Sequence, residues 1–262
     1  MTHPNFNKSS CIVMYSPGYT RGPDSFDTME IIDAYLENGN YNLFINDWTP
    51  VTKLNLYPDS ASLVKPAGKE IAKAMDALID RGARICHIGG HSLGAQLSGQ
   101  IGRHMKNPLP HIIALDPAGP LFYPPEKCVD NILETDADCV EAIHTDGHMY
   151  GTLQKAGAVD IFVNGGVARQ PGCQDVSNSF EVTTIRLSCS HDRAVFYAAE
   201  AIRNSSALLA RQCQSLDAFN RGQCNNNPTI HIGQCDKSKR GSYFLRTSCH
   251  SPFGEGARGA TT

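Results

Sequence analysis

The sequence predicts an α/β fold on a mainly parallel sheet, and three observations carry that expectation. Short β-branched runs alternate with longer amphipathic stretches from residue 11 to about 203, the rhythm of βαβ units. A Gly-x-Ser-x-Gly turn, Gly90-His91-Ser92-Leu93-Gly94, falls where one such run gives way to a helical pattern. The 262 residues, 41% hydrophobic and 19% charged, suffice for one large core and contain no apolar run near the roughly 18–20 residues a spanning helix needs.

Taken in order, Cys11–Tyr15 reads as a strand that stops at the turn Ser16-Pro17-Gly18. Residues 25–37 read as a helix with Phe26, Met29, Ile31 or Ile32, and Leu36 on one face. Tyr41–Ile45 is a strand ending at Asn46-Asp47. Residues 62–80 form a second helix, in which Ile71, Met75, Leu78 and Ile79 recur at i, i+4, i+7 and i+8, and Arg81-Gly82 stops it. Strands follow at Ile85–Ile88, His111–Leu115, Val140–His144 and Val159–Val163, with helices at Leu93–His104 and Asp192–Arg203. Residues 213–262 lose the rhythm and hold four of the ten cysteines, as a stapled strand-and-loop tail. No repeat or linker divides the chain, so residues 1–262 are expected to form a single domain.

Composition excludes some functions. A net charge of −3 argues against a general nucleic-acid binder. The charge is uneven: residues 203–262 carry eight Lys/Arg against three Asp/Glu. That excess reads first as a solvated basic face, and more sharply as attraction to an anionic lipid surface. Ten cysteines without a Cys-x-x-Cys pair fit a disulfide framework in an oxidising compartment better than a zinc site. Sequons at Asn7-Lys8-Ser9 and Asn204-Ser205-Ser206 agree, making Asn7 and Asn204 candidate glycan acceptors. The chain is therefore expected to be secreted. Because Met1-Thr2-His3-Pro4 is not an apolar leader, its true N-terminus and signal peptide are expected to be missing.

Ser92 is the candidate nucleophile. A serine at a strand-to-helix turn projects above the carboxyl edge of the sheet, and the helix that follows aims its N-terminal amides at the reaction centre. Small residues along that helix, Gly94, Ala95, Ser98, Gly99 and Gly102, allow close packing on the sheet. Serine needs a base, and the base an orienting acid. Asp116, at the end of the next strand, is the candidate acid. His144, at a strand end, and His191, opening a helix after Cys189-Ser190, compete as the base; the later position favours His191, with His144 a structural residue. His231 and His250 read as surface groups.

Together these residues resemble the pancreatic-lipase family of secreted α/β-hydrolases, which includes triacylglycerol lipases, phospholipases A1 and catalytically silent, yolk-protein-like members. The matching blocks are Gly89–Ala95, Ala114–Pro120, Ile143–Asp146, Asn164-Gly165-Gly166, Gln170–Cys173 and Cys189-Ser190-His191. They run in the family's order, and residues from about 11 to 253 can be placed. The resemblance implies an α/β-hydrolase fold, a serine mechanism on Ser92, Asp116 and His191, and an oxyanion hole from the backbone N–H groups of Leu93 and Tyr19. It implies lipid esters as substrate, a lipid–water interface as the working surface, and no organic cofactor or metal. An inert lipid-binding or storage protein on the same fold is the alternative, against which the intact serine, acid and histidine count.

The family also implies a lid, here residues 174–188 between Cys173 and Cys189, with Phe180, Val182, Ile185 and Leu187 giving it an apolar side. The pairs Cys173–Cys189 and Cys213–Cys224 follow family spacings. Cys128–Cys139 and Cys235–Cys249 are assigned as neighbours in sequence that close short loops. That leaves Cys11–Cys86, on strands that lie side by side in the family's sheet.

Departures from the family pattern are also visible. Pro17-Gly18-Tyr19 replaces its His-Gly-aromatic turn, and its upstream strands are not in this chain. No C-terminal β-sandwich follows, so no colipase-type partner is implied. Glu134, Asp136 and Asp138 fall in the region of the family's calcium site, out of register with it, and calcium is not carried over.

Overall fold

The computed structural model describes residues 5–173 and 188–261. The six expected runs are strands: β1 (Cys11–Ser16), β2 (Tyr41–Ile45), β3 (Ile85–His91), β4 (His111–Leu115), β5 (Cys139–His144) and β6 (Val159–Val163). β3 runs past its expected end through Gly89-Gly90-His91, because β1 and β4 flank it and keep Gly90 in register with Ser16 and Ala114. Burial on both faces explains why β1 and β5 are buried at every position, as inner strands of a parallel sheet are.

The helices are α1 (Phe26–Asn38), α2 (Thr49–Thr52), α3 (Tyr57–Ile79), α4 (Leu93–His104), α5 (Cys189–Arg203) and α6 (Leu216–Asn220). α3 starts five residues before its expected start at residue 62. Pro58 sits in its first turn, where a missing N–H costs nothing and the fixed φ suits the helix. α5 starts at Cys189, so His191 lies within its first turn.

The tail supplies β7 (Leu209–Gln212), β8 (Thr229–His231) and β9 (Gly241–Leu245). The sheet order is β2-β1-β3-β4-β5-β6-β9-β7-β8. β1 to β6 and β9 are mutually parallel, and β7 is antiparallel to both β9 and β8. One face packs on α1 and α5 through Ile31, Tyr35, Val195 and Tyr197; the other packs on α3 and α4 through Val64, Met75, Leu97 and Ile101. No described helix is long and apolar enough to cross a membrane.

Four disulfides join Cys11 to Cys86, Cys139 to Cys235, Cys173 to Cys189 and Cys213 to Cys224. The expected pairs Cys128–Cys139 and Cys235–Cys249 do not form; Cys128 and Cys249 are exposed free thiols. Tertiary packing overrides proximity in sequence here. The approach to β9 crosses the start of β5, where Lys237 pairs with Asp138 at 3.0 Å and Arg240 with Glu134 at 3.0 Å, and this crossing brings Cys235 to Cys139. Those contacts also bear on the basic tail. Lys237 and Arg240 are joined in ion pairs by Arg203, which binds Glu30 and Glu37, and by Arg221, which binds Asp217. Half of the eight tail cations are thus held in ion pairs, as a partly paired, solvated face.

Candidate active site

The carboxyl ends of β1, β3 and β4 and the start of α5 meet at one place. Ser92 links β3 to α4 with φ 57 and ψ −119, a conformation costly for any residue with a Cβ. It persists because its surroundings over-determine it: the Ser92 N–H donates to the Leu115 carbonyl at 2.9 Å, and its carbonyl accepts from Ala118 at 3.2 Å. The turn closes so tightly that a Cβ on Gly90 would lie 2.2 Å from the Gly94 oxygen, and one on Gly94 2.0 Å from the Ser16 oxygen. Only glycine fits either position, which is the physical content of the Gly-x-Ser-x-Gly spacing.

Asp116 follows β4, wholly buried, with its N–H bonded to the Ile143 carbonyl at 2.7 Å. Its Oδ1 accepts backbone N–H bonds from Thr145 at 2.7 Å and Asp146 at 3.0 Å. Its Oδ2 accepts from His191 Nδ1 at 2.6 Å. With Nδ1–H committed to the carboxylate, Nε2 of a neutral His191 carries the lone pair. Burial disfavours a charged imidazole at His191, but the hydrogen bond and charge of Asp116 outweigh it, with Asp192 and Asp146 adding to them, and the histidine is held above its ordinary value.

His144 is engaged differently. It is wholly buried, with Nδ1 2.7 Å from the Thr152 carbonyl and Nε2 2.9 Å from Asp160 Oδ1. Burial opposes its charge, yet the Asp160 carboxylate raises its pKa overall. Both nitrogens face acceptors, so no lone pair is left for a base.

Ser92, His191, Tyr19, Tyr57, Pro120 and Tyr150 line a cavity of about 780 Å³, with Arg21 and Phe26 further along its wall. The turn bearing Tyr19 is fastened at several points. Trp48 Nε1 donates to the Pro17 carbonyl at 2.9 Å, and Tyr19 Oη to the Asn55 carbonyl at 2.9 Å. A Cβ on Gly18 would lie 3.3 Å from the Ser92 Cβ, which places this turn directly beside the serine. Leu93, wholly buried, opens α4 on the other side. The expected lid side chains Phe180, Val182, Ile185 and Leu187 lie outside the described residues.

Several residues important to the site stand in the matching blocks without a role that the sequence assigns them. Asp146 is buried beside Asp116 with neither carboxylate oxygen hydrogen-bonded; burial and then repulsion from Asp116 push its pKa up to about 7. Gln170 is a buried hub whose Nε2 donates to the Val163 and Thr145 carbonyls at 2.7 and 3.2 Å. Its backbone N–H and that of Arg169 donate to Ser190 Oγ, tying the segment before Cys173 to the start of α5. A buried Gln in a polar loop has no periodicity to betray it. Asp27, His91 and Asp192 each bring a potential ligand atom within 4.8 Å of one another, as do Asp116, Asp146 and His191. In the second set Asp116 and His191 already bond each other, and in the first Arg21 lies 3.7 Å from Asp192. Around the family's calcium region, Asp136 is held by Arg103 at 2.8 Å, Glu134 by Arg240 and Asp138 by Lys237, so each carboxylate already has a cation.

A serine strained at the end of a central parallel strand, a buried Asp–His pair beside it and, among the described residues, a mostly parallel nine-stranded sheet define an α/β hydrolase. Within that class the chain belongs to the Lipase family, whose model matches residues 1–253. Among curated proteins it is 32% identical to phospholipase A1 2 of Vespa affinis, over 96% of this chain and 78% of that one. It is 31% identical to a phospholipase A1 of Vespa crabro, over 92% and 82% respectively. Lipase member H-B of Xenopus laevis is 30% identical over 75% of this chain and 42% of its own length.

Proposed function

We propose that the chain is a secreted serine hydrolase that cleaves carboxylic esters of lipids through an acyl-enzyme. Its similarity to proteins named phospholipase A1 favours a phospholipid over a triacylglycerol as substrate. The observation that carries the proposal is the 2.6 Å bond from His191 Nδ1 to a fully buried Asp116, on a cavity that also holds the strained Ser92.

In this mechanism His191 Nε2 takes the proton from Ser92 Oγ as the oxygen attacks the ester carbonyl. Asp116 holds the tautomer and stabilises the imidazolium that forms. The developing oxyanion is received by the N–H groups of Leu93 and Tyr19, each worth about 3 kcal/mol in sites of this kind, at the positive end of α4. His191 then gives its proton to the leaving alcohol or lysolipid, and water, deprotonated by the same histidine, releases the fatty acid. Residues 174–188 are proposed as the lid over this cavity. Four disulfides support an oxidising compartment, and Asn7 and Asn204, both exposed, are proposed glycan acceptors.

Covalent labelling tests the proposal. An organophosphate should add once, at Ser92, and abolish hydrolysis of a short-chain ester and of phosphatidylcholine alike. Labelling elsewhere, or activity that survives full labelling of Ser92, would overturn it.

A further inference from the structure

Leu54 and Leu56 are the two most exposed large apolar side chains among the described residues, at 83% and 73%. A single exposed leucine is ordinary. This pair is distinguished by its support. The two leucines occupy the turn between α2 and α3, and the carbonyl of Asn55, between them, is the acceptor for Tyr19 Oη at 2.9 Å. Asn55 Nδ2 in turn donates to the Val51 carbonyl at 2.7 Å. The next residue, Tyr57, meets Tyr19 edge-on with ring centroids 5.4 Å apart, and donates its hydroxyl to the Pro120 carbonyl at 3.2 Å. Tyr19 and Tyr57 both line the cavity that contains Ser92. The leucines therefore stand in water on a braced turn, at the rim of that cavity.

The chemistry of the rim selects the partner. Between Val51 and Tyr57 the only charged residue is Lys53. Phe26 and Tyr150, which line the same cavity, are also exposed. Apolar tips backed by tyrosines, which have an apolar body and a polar end, match the boundary between headgroups and acyl chains. Resting on the reading of the chain as a lipid-ester hydrolase, we propose that the Leu54-Asn55-Leu56 turn is an anchor that inserts into a phospholipid surface and seats the mouth of the cavity against it. Because Asn55 holds Tyr19, the anchor also fixes the cavity wall next to Ser92 relative to that surface.

The test uses two readouts, and the first needs no turnover. Ser92→Ala protein, with and without Leu54→Ser/Leu56→Ser, is floated with phosphatidylcholine vesicles. Loss of the two leucines should lower partitioning at least about tenfold, since each buries a large apolar side chain on insertion. In the active protein the same pair of substitutions should leave hydrolysis of a soluble short-chain ester within about twofold, while hydrolysis of vesicle phospholipid falls about tenfold. Leu54→Trp supplies a second check. The chain has one tryptophan, the buried Trp48, so a blue shift on adding vesicles would report insertion of the turn. Unchanged partitioning, or a Leu54→Trp emission that ignores vesicles, overturns the anchor. So does a change in self-association by sedimentation without a change in vesicle binding, which would mark the turn as a contact between copies. If the active protein hydrolyses no ester but partitioning still depends on the leucines, the proposed chemistry fails and the anchor stands.

Discussion

Asp116 and His191, 75 positions apart in sequence, share a 2.6 Å hydrogen bond from Nδ1 to Oδ2, and Asp116 is further held by two backbone N–H groups. The carboxylate is therefore oriented before the imidazole is. Asp116→Asn should keep the fold, because the amide is nearly isosteric. The amide oxygen, however, must stay with the two backbone N–H groups that donate to it, which turns the NH₂ group toward His191 Nδ1. The histidine then loses its acceptor and turns to the wrong tautomer. Hydrolysis of a soluble ester should fall by about 10³–10⁴, the scale for this lesion in serine triads. A loss below tenfold would remove Asp116 from the mechanism.

The two histidines that compete as base should part cleanly. His191→Ala should abolish turnover and also lower stability, because it leaves the buried Asp116 with only its backbone partners. His144→Ala should keep turnover and lose only stability, since His144 sits fully buried between Asp160 and the Thr152 carbonyl. Breaking a buried charged pair costs about 3–5 kcal/mol, so a clear fall in melting temperature is expected while the folded fraction stays active. The pH dependence has a definite sign. The folded pKa of His144 lies above its ordinary value, so its stabilisation is complete below about pH 6.5 and fades as pH rises through the folded value. The gap in stability between wild type and His144→Ala should narrow in alkali. Loss of activity in folded His144→Ala would move the base to that residue.

Much of this architecture was legible in the sequence, and the exceptions have physical causes. β-branched runs such as Cys11–Tyr15 and Val159–Val163 announce inner strands because burial on both faces leaves no room for polar residues. Ser92 is legible for the opposite reason: its backbone is so constrained that glycines are forced at positions 90 and 94. β9 was not legible as a parallel neighbour of β6, because that partnership is set by a chain crossing some 80 residues later and not by local pattern. The same crossing defeats pairing of cysteines by nearness in sequence. Asp146 was seen only as part of the Ile143–Asp146 block; nothing local says that its carboxylate is buried beside another.

Asp146 should tune the acid limb of activity. Burial, and then the charge of Asp116, raise its pKa from an ordinary aspartate value to about 7. It therefore ionises near neutral pH, and its charge helps to hold His191 protonated. Asp146→Asn should shift the acid limb of kcat/KM to lower pH without abolishing turnover. The sign for stability follows from the same shift. An acid whose folded pKa is raised costs the fold stability as pH climbs from about 4 to 7, so the Asn variant should gain relative to wild type above pH 7 and not below pH 4. A pH profile and stability curve that coincide with wild type would show that Asp146 does not influence the site.

The cysteines give a prediction that separates tertiary crossing from proximity in sequence. Cys139 and Cys235, 96 positions apart, clamp the start of β5 to the approach to β9, while Cys128 and Cys249 remain exposed thiols. Alkylation of the folded, non-reduced protein should therefore mark Cys128 and Cys249 and no other cysteine, and a non-reducing peptide map should contain a 139–235 linkage. A cross-link over so long a loop removes much denatured-state freedom, about 4–5 kcal/mol by loop-closure entropy and commonly 2–4 in practice. Cys235→Ser should lower stability by an amount in that range and expose Cys139 to alkylation. The Cys128→Ser/Cys249→Ser double variant should leave stability within about 0.5 kcal/mol, as exposed substitutions usually do. Linkages at 128–139 and 235–249 in the map, or equal stability losses in the two variants, would show that neighbouring cysteines pair after all.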